Sequence, residues 1–257
     1  MKKTVLLVCL ISYVTLYAQN HKSEGDAFAA SGNYSLAAAM YELCMKQDEE
    51  CLFKYFELIY DEKIIPEYPE QLYDLIHPFA VQGNVSAQFY MGYIFYRGLG
   101  VKQDYQEAIK WYQKCAEQGD AQGQNNLGHM YRIGQGVEQN YQEALKWFLK
   151  SAEQGDDKAQ YSLGLMHWSG LGTIPDYQKS IKWYEMSAEQ GNVLAQNRLG
   201  WLFVNMYQYK EALKWYQRSA DQGNMTGQFN LGLMYRNDTG VKQDDQEAVK
   251  WYKKSAD

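Results

Sequence analysis

The chain has 257 residues, a formal net charge of -6 and an aromatic content of 15%. An acidic balance of this kind carries no electrostatic footprint for nucleic acid. Four histidines are too few for a convincing metal or catalytic cluster, so neither a metal nor a cofactor is expected.

At the start of the chain, Lys2 and Lys3 precede an uninterrupted apolar run from Val5 to Leu16, which ends at Tyr17 and Ala18 before the polar "QNHKSEG". This reads as a secretory signal peptide, residues 1–18, cleaved after Ala18. A membrane anchor is the competing reading, but the run falls short of the roughly 20 apolar residues a spanning helix needs. No membrane span is therefore expected after signal removal. Cleavage takes away two lysines and no acid, which moves the formal charge from -6 to -8. Cys44, Cys51 and Cys115 remain, in a periplasmic or secreted setting where disulfides persist.

Residues 24–83 follow as degenerate N-terminal units. Sliding "SGNYSLAAAMYELCMKQDEECLFKYFELIYDE" against residues 103–134 without a gap aligns Ala37 with Ala108, Tyr41 with Tyr112, Cys44 with Cys115, Phe56 with Leu127 and Tyr60 with Tyr131. Residues 48–83, with "IIPEYPE", then form a unit whose turn carries proline.

From residue 84 the sequence repeats. "KWYQKCAEQG" returns as "KWFLKSAEQG", "KWYEMSAEQG", "KWYQRSADQG" and "KWYKKSAD", with Trp111, Trp147, Trp183, Trp215 and Trp251 spaced 36, 36, 32 and 36 residues apart. An internal glycine recurs in step at Gly92, Gly128, Gly164, Gly200 and Gly232. Each unit is a helix pair, which makes the chain all-α. The units are 84–119, 120–155, 156–191, a shortened 192–223, and 224–257.

Within a unit, Asn84, Asp120, Asp156, Asn192 or Asn224 follows a glycine, so that the glycine ends one helix and the Asx residue caps the next. Ala87, Met91, Ile94 and Phe95 draw one buried stripe on the first helix. The mid-helix glycine costs about 1 kcal/mol relative to alanine, which predicts close approach of a neighbouring helix. The second helix opens with a cap and a carboxylate three residues on, as in Asp104 and Glu107. It buries Ala108, Trp111, Tyr112 and Cys115 or Ala116. Glycine-rich turns such as "GLGV" join the two helices.

The pattern A-x3-LG-x2-Y-x2-GxGV-x2-D-x3-A-x2-WY-x2-SA-x2-G resembles Sel1-like repeats, relatives of tetratricopeptide repeats, over residues 84–257. The resemblance implies a right-handed α-solenoid of antiparallel helix pairs that acts as an adaptor for other proteins. In the 192–223 unit the turn is missing, and Gly200 stands 12 residues before Ala212 where Gly128 stands 16 before Ala144. Twelve is the tetratricopeptide spacing. At the other end, residue 257 falls where the pattern expects a further "QG" and a polar capping helix. Three readings stand: the last pair tolerates its exposed face, a partner or a second copy covers it by self-association, or the sequence is a fragment.

Cys115 occupies a row otherwise held by Ser151, Ser187, Ser219 and Ser255, and reads as a small packed side chain. His167 stands in a row of aromatic rings and reads as a buried ring with one satisfied nitrogen. By similarity to tetratricopeptide repeats, the varying positions of the first helices face a concave binding surface. These are Phe89, Tyr93, Tyr96 and Arg97, then Asn125, His129 and Arg132, then Tyr161 and Trp168, then Asn197 and Trp201, and finally Phe229 and Arg236. Their types are those enriched at recognition surfaces. Arg97, Arg132 and Arg236, assisted by Asn125 and Asn197, are expected to clamp a carboxylate of a protein or peptide partner.

Cys44 and Cys51 lie at the end of one helix and the start of the next, where a turn brings their Cα atoms within reach of a disulfide. Cysteines near these positions in every repeat mark the cysteine-rich secreted relatives. Some of those relatives carry a penicillin-binding or β-lactam-hydrolysing label, which is the alternative function the resemblance implies. The sequence has no S-x-x-K, no G-x-S-x-G, no metal-spaced His/Cys cluster and no phosphate loop. The expected function is accordingly that of a non-enzymatic, exported scaffold for protein–protein interaction in the bacterial cell envelope.

Overall fold

The computed structural model describes residues 2–45 and 48–256, with side chains from Leu16 onward. Most of the signal peptide predicted for residues 1–18 therefore lies outside the described side chains. Among the described residues every regular element is helical. The helices are α1 (Lys2–Ala30), α2 (Tyr34–Cys44), α3 (Glu49–Tyr60), α4 (Leu72–Val81), α5 (Val85–Arg97), α6 (Tyr105–Glu117) and α7 (Ala121–Ile133). They continue with α8 (Tyr141–Glu153), α9 (Asp157–Ser169), α10 (Tyr177–Glu189), α11 (Val193–Asn205), α12 (Tyr209–Asp221), α13 (Met225–Arg236) and α14 (Asp245–Lys254). The chain forms two compact units, Met1–Asp120 and Ala121–Asp257. Among the described residues no helix is long and apolar enough to cross a membrane.

Both units are built from the same pair. In the second unit the pairs are α7 with α8, α9 with α10, α11 with α12 and α13 with α14. Asx residues cap α8, α9, α10, α11, α13 and α14, whereas α12 opens at Gln208 without a side-chain cap. Asp156 Oδ1 accepts from the Ala159 N–H at 2.7 Å, Asn192 Oδ1 from Ala195 at 3.0 Å and Asn140 Oδ1 from Glu143 at 3.0 Å. The glycines before the first-helix caps take left-handed φ values, 95° at Gly155 and 99° at Gly191.

The mid-helix glycine has the role the sequence predicts for it, and the neighbour is an aromatic ring of the partner helix. A Cβ on Gly128 would stand 2.9 Å from Phe148, and on Gly200 2.5 Å from Tyr216. Around these contacts Ala195, Leu199, Ala212, Trp215, Tyr216 and Leu231 form one buried cluster, and Ala144, Phe148, Ala159, Leu163 and Met166 another.

A ladder of glutamines, missed in the sequence, joins successive pairs. Buried Gln160 donates Nε2 to the Ala152 carbonyl at 3.2 Å and accepts from Gln190 Nε2 at 2.8 Å. Gln196 repeats this with Ala188 at 3.0 Å and Gln222 at 2.9 Å. A parallel row is made by Ser151 Oγ, which donates to the Ala121 carbonyl, and Ser187 Oγ, which donates to the Asp157 carbonyl, both at 2.7 Å. Buried amides and hydroxyls without partners would cost about 1 to 3 kcal/mol each, so these bonds fix which pair follows which.

The first unit departs from this regularity twice. Helix α1 runs unbroken through Ala18, and its later part packs on α2 as a first helix would. Gly25 lies against Tyr41, where a Cβ would stand 2.5 Å from the ring, with the 16-residue spacing of Gly200 to Tyr216. The first pair thus begins upstream of residue 24, where the sequence pattern alone starts the array. Helices α3 and α4, in contrast, form no close pair, and α4 packs on α5 instead. The gapless alignment puts Glu57 where a regular unit has its glycine, so the backbones cannot approach. Phe53 and Phe79 bring rings of the two within 6.2 Å.

Cys44 and Cys51 form a disulfide that ties α2 to α3, with Cα atoms 5.9 Å apart. Cys115 is free, fully buried, and donates Sγ–H to the Tyr112 carbonyl at 3.2 Å. Burial pushes its thiol well above the usual cysteine range, which leaves it packed and inert.

Candidate interaction face

The varying positions predicted to meet a partner lie on first helices in both units, and the two units treat them differently. In the first unit, Phe89 and Tyr93 are core residues, 2% and 6% exposed. Both rings pack edge-on against Tyr60 of α3, at 4.9 and 5.0 Å. This corrects the expectation that they face a partner: α3 already covers them. Arg97 is exposed, but its guanidinium donates to Glu62 Oε1 at 2.9 Å and to the Tyr93 hydroxyl at 3.3 Å. Glu62 holds that position from a left-handed backbone, φ 56°. Tyr96 is half-buried and packs on Tyr105 at 5.5 Å. The row in this unit is largely internal.

In the second unit the row is open. Trp201, Phe229 and Arg236 are exposed, while Asn125, His129, Arg132, Tyr161, Trp168 and Asn197 are half-buried. Residues three before and one, four and five after the glycine fall on one side of the first helix by helical periodicity. Tyr161 and Phe229 hold equivalent positions and lean on the framework rings Tyr184 and Tyr252, at 5.6 and 5.5 Å. Trp168 meets Trp201 edge-on at 5.6 Å, and the Arg198 guanidinium stands 6.0 Å from the Trp201 ring.

Asn197 does not point freely at a partner. Its Nδ2 donates to the capping Asn224 at 2.7 Å, while its Oδ1 is buried without a hydrogen-bond partner. His129 is held neutral-favouring: burial first, then the nearby Arg132 charge, lowers its pKa. His167 differs from expectation, being half-buried with Nδ1 unsatisfied. Among the described residues no group of three or more His, Cys, Asp or Glu side chains converges to hold a metal ion.

Sequence reasoning missed Arg198, which it passed over because it lies two before Gly200, outside the row it followed. Its proximity to Trp201 follows from i,i+3 spacing and was there to be read.

Comparison with known proteins supplies the family. The Sel1 repeat profile matches residues 85–120, 121–156, 157–192, 193–224 and 226–257. No curated protein matches the chain. Among solved structures, a Sel1 repeat protein from Oxalobacter formigenes is similar at 28% identity and a TM-score of 0.76, covering 91% of this chain and 98% of its own. A protective antigen of uropathogenic Escherichia coli with an SLR fold is similar at 32% identity and a TM-score of 0.67, covering 94% of this chain. The present chain spans about half of that antigen's length, 54%. An immunity protein from Pseudomonas aeruginosa shares the fold at 19% identity and a TM-score of 0.54, over 80% of each chain. The tandem matches take in more than half of the sequence, and on that ground the chain belongs to the Sel1 repeat family.

Proposed function

We propose that this protein is an exported, non-enzymatic scaffold that binds a protein or peptide partner through the first-helix face of its second unit. One observation carries the reading. The rows that build the pairs are buried and repeat, whereas Trp201, Phe229 and Arg236 are exposed at positions whose chemistry changes from repeat to repeat. Large aromatic rings and guanidiniums left at the surface of a rigid scaffold are what a binding hot spot is made of. Export is supported by Lys2 and Lys3 ahead of the apolar run that ends at Ala18.

Crosslinking capture from bacterial envelope extract tests the scaffold reading. The wild-type chain should retain a discrete partner that a triple variant, His129→Ala, Arg132→Ala and Trp168→Ala, loses while keeping its helical circular dichroism. Equal capture by both would remove the face from consideration. N-terminal sequencing of the fractionated protein tests export: the expected start is Gln19 in the periplasmic or secreted fraction, and an intact Met1 in the cytosol would overturn it.

A further inference from the structure

The long turns of the second unit do more than reverse the chain. Gly172, between α9 and α10, lies on Tyr141, the residue that opens α8, so closely that a Cβ there would stand 2.7 Å from the Tyr141 carbonyl. Gly240, between α13 and α14, lies on Tyr209, which opens α12, in the same way. Each turn covers the tyrosine of the preceding pair. The shortened turn between α11 and α12 has no such glycine, and the tyrosine it would cover, Tyr177, is 55% exposed where Tyr141 and Tyr209 are half-buried. Trp168 packs on Tyr177 at 4.6 Å and on Trp201 at 5.6 Å, and Trp201 is itself 43% exposed. Loss of four turn residues has opened an aromatic notch with Trp168 between Tyr177 and Trp201.

Charge is segregated around this notch. Across α7, α9, α11 and α13 the sole carboxylate is Asp157, while Arg132, Lys158, Arg198 and Arg236 are basic. Every second helix of the unit carries two acids, balanced by two or three bases of its own. Acids of the second helices and their caps are met by nearby bases: Lys146 with Glu143, Lys179 with Asp176, Lys214 with Glu211, Lys250 with Glu247, and Arg218 with Glu189. Arg132, Arg198 and Arg236 meet no carboxylate among the described residues. Their guanidiniums are spread over three of the four repeats, which suits carboxylates distributed along an extended segment better than a single polyanionic group.

We propose that the notch and these arginines receive an acidic protein segment with one aromatic or long aliphatic anchor. The anchor enters beside Trp168, between Tyr177 and Trp201, and flanking Asp or Glu side chains pair with Arg132, Arg198 and Arg236. This rests on the reading that the first-helix face binds a partner, and it adds the partner's chemistry.

Fluorescence anisotropy on the full chain tests it, with a dye-labelled twelve-residue peptide of Glu and Ser around a central Phe as probe. Replacing Phe by Ser, or every Glu by Lys, should weaken binding at least about ten-fold. Arg132→Gln with Arg236→Gln should do the same and flatten the salt dependence. Inserting Gly-Leu-Gly-Val between Met206 and Tyr207, which restores the long turn and covers Tyr177, should abolish binding with circular dichroism unchanged. Wild-type affinity in the insertion variant, or equal affinity for the Lys peptide, would overturn the proposal. Envelope capture that depends on Trp168 without any binding of the acidic peptide would overturn this chemistry and leave the scaffold reading standing. Absence of both would end both.

Discussion

Tyr184 lays its ring directly on the backbone of Gly164, so that a Cβ at residue 164 would stand 2.5 Å from Tyr184 Cδ1. Alanine is favoured over glycine in a free helix by about 1 kcal/mol. Here that gain is opposed by overpacking of about 1 to 3 kcal/mol, because Tyr184 is fully buried and has nowhere to retreat. Gly164→Ala should therefore lower stability by up to about 2 kcal/mol, read as a lower urea midpoint. A raised midpoint would mean that the ring shifts aside and that the glycine serves no close contact.

The repeat was legible because each of its parts has a local cause. Caps, internal glycines and the Trp rows recur at fixed spacing, and the fold follows from them. What escaped the pattern depends on partners far along the chain. Phe89 and Tyr93 occupy positions of the varying row, yet Tyr60 covers them. Glu57 in place of a glycine leaves α3 packed on neighbours other than α4, and no periodicity within α3 announces that. Tyr177 opens its helix as Tyr141 and Tyr209 do, and what sets its exposure apart is a turn shortened one repeat later. Gln160 and Gln190 repeat as plainly as the tryptophans, but polar residues in a helix are ordinarily solvated, so their pairing across helices gave no signal by itself.

Tyr207 closes the shortened turn with φ 59° and is 80% exposed. Its ring makes one edge contact, with Tyr209 at 6.1 Å. A non-glycine residue in this region costs about 1 kcal/mol or more. Tyr207→Gly should therefore be neutral to stabilising, by up to about 1 kcal/mol, even though it deletes a large side chain. Loss of more than that in a thermal melt would show that Tyr207 packs more than it strains.

The cysteines give a count that separates three states. Cys44 and Cys51 are bonded and Cys115 is buried, so the native protein should take up no maleimide. Unfolding without reductant should expose one thiol in the processed chain, and reduction should raise this to three. Retention of the leader adds Cys9 to both unfolded counts. Intact-mass spectrometry reads each number directly. Reduction should also cost the first unit about 2 to 3 kcal/mol, the contribution of closing so short a loop.

Asp26 ties α1 to its neighbours: it accepts from the Tyr41 hydroxyl at 2.8 Å and from Lys54 Nζ at 2.5 Å. Burial opposes its ionisation, but the Lys54 and Tyr41 hydrogen bonds and the lysine charges outweigh it and hold the carboxyl below its ordinary value. A carboxyl depressed in the folded state contributes stability above its unfolded pKa of about 3.9, and that contribution is lost as pH falls through the folded value. The gap in urea midpoint between wild type and Asp26→Asn should thus be constant from neutral pH to about 5 and close below about 4. A gap that persists at pH 2 would assign the effect to shape rather than charge.

Phe89 and Trp201 belong to the same family of first-helix positions and should respond in opposite ways. Phe89 is enclosed by Tyr60, Tyr90 and Tyr112, with ring centroids between 4.9 and 5.8 Å away. Truncation to alanine removes those contacts and leaves a cavity, at a cost of about 3 to 5 kcal/mol. Trp201 is largely bounded by Trp168, with solvent over much of the remainder, so Trp201→Ala should cost about 1 kcal/mol or less. If the open face is the binding face, the ranking reverses for partner capture, normalised to folded protein. Trp201→Ala should then lose the partner, whereas a Phe89→Leu chain, which keeps an apolar side chain in the core at a smaller loss of volume than alanine, should retain it. Capture that follows Phe89 rather than Trp201 would move the binding surface into the first unit.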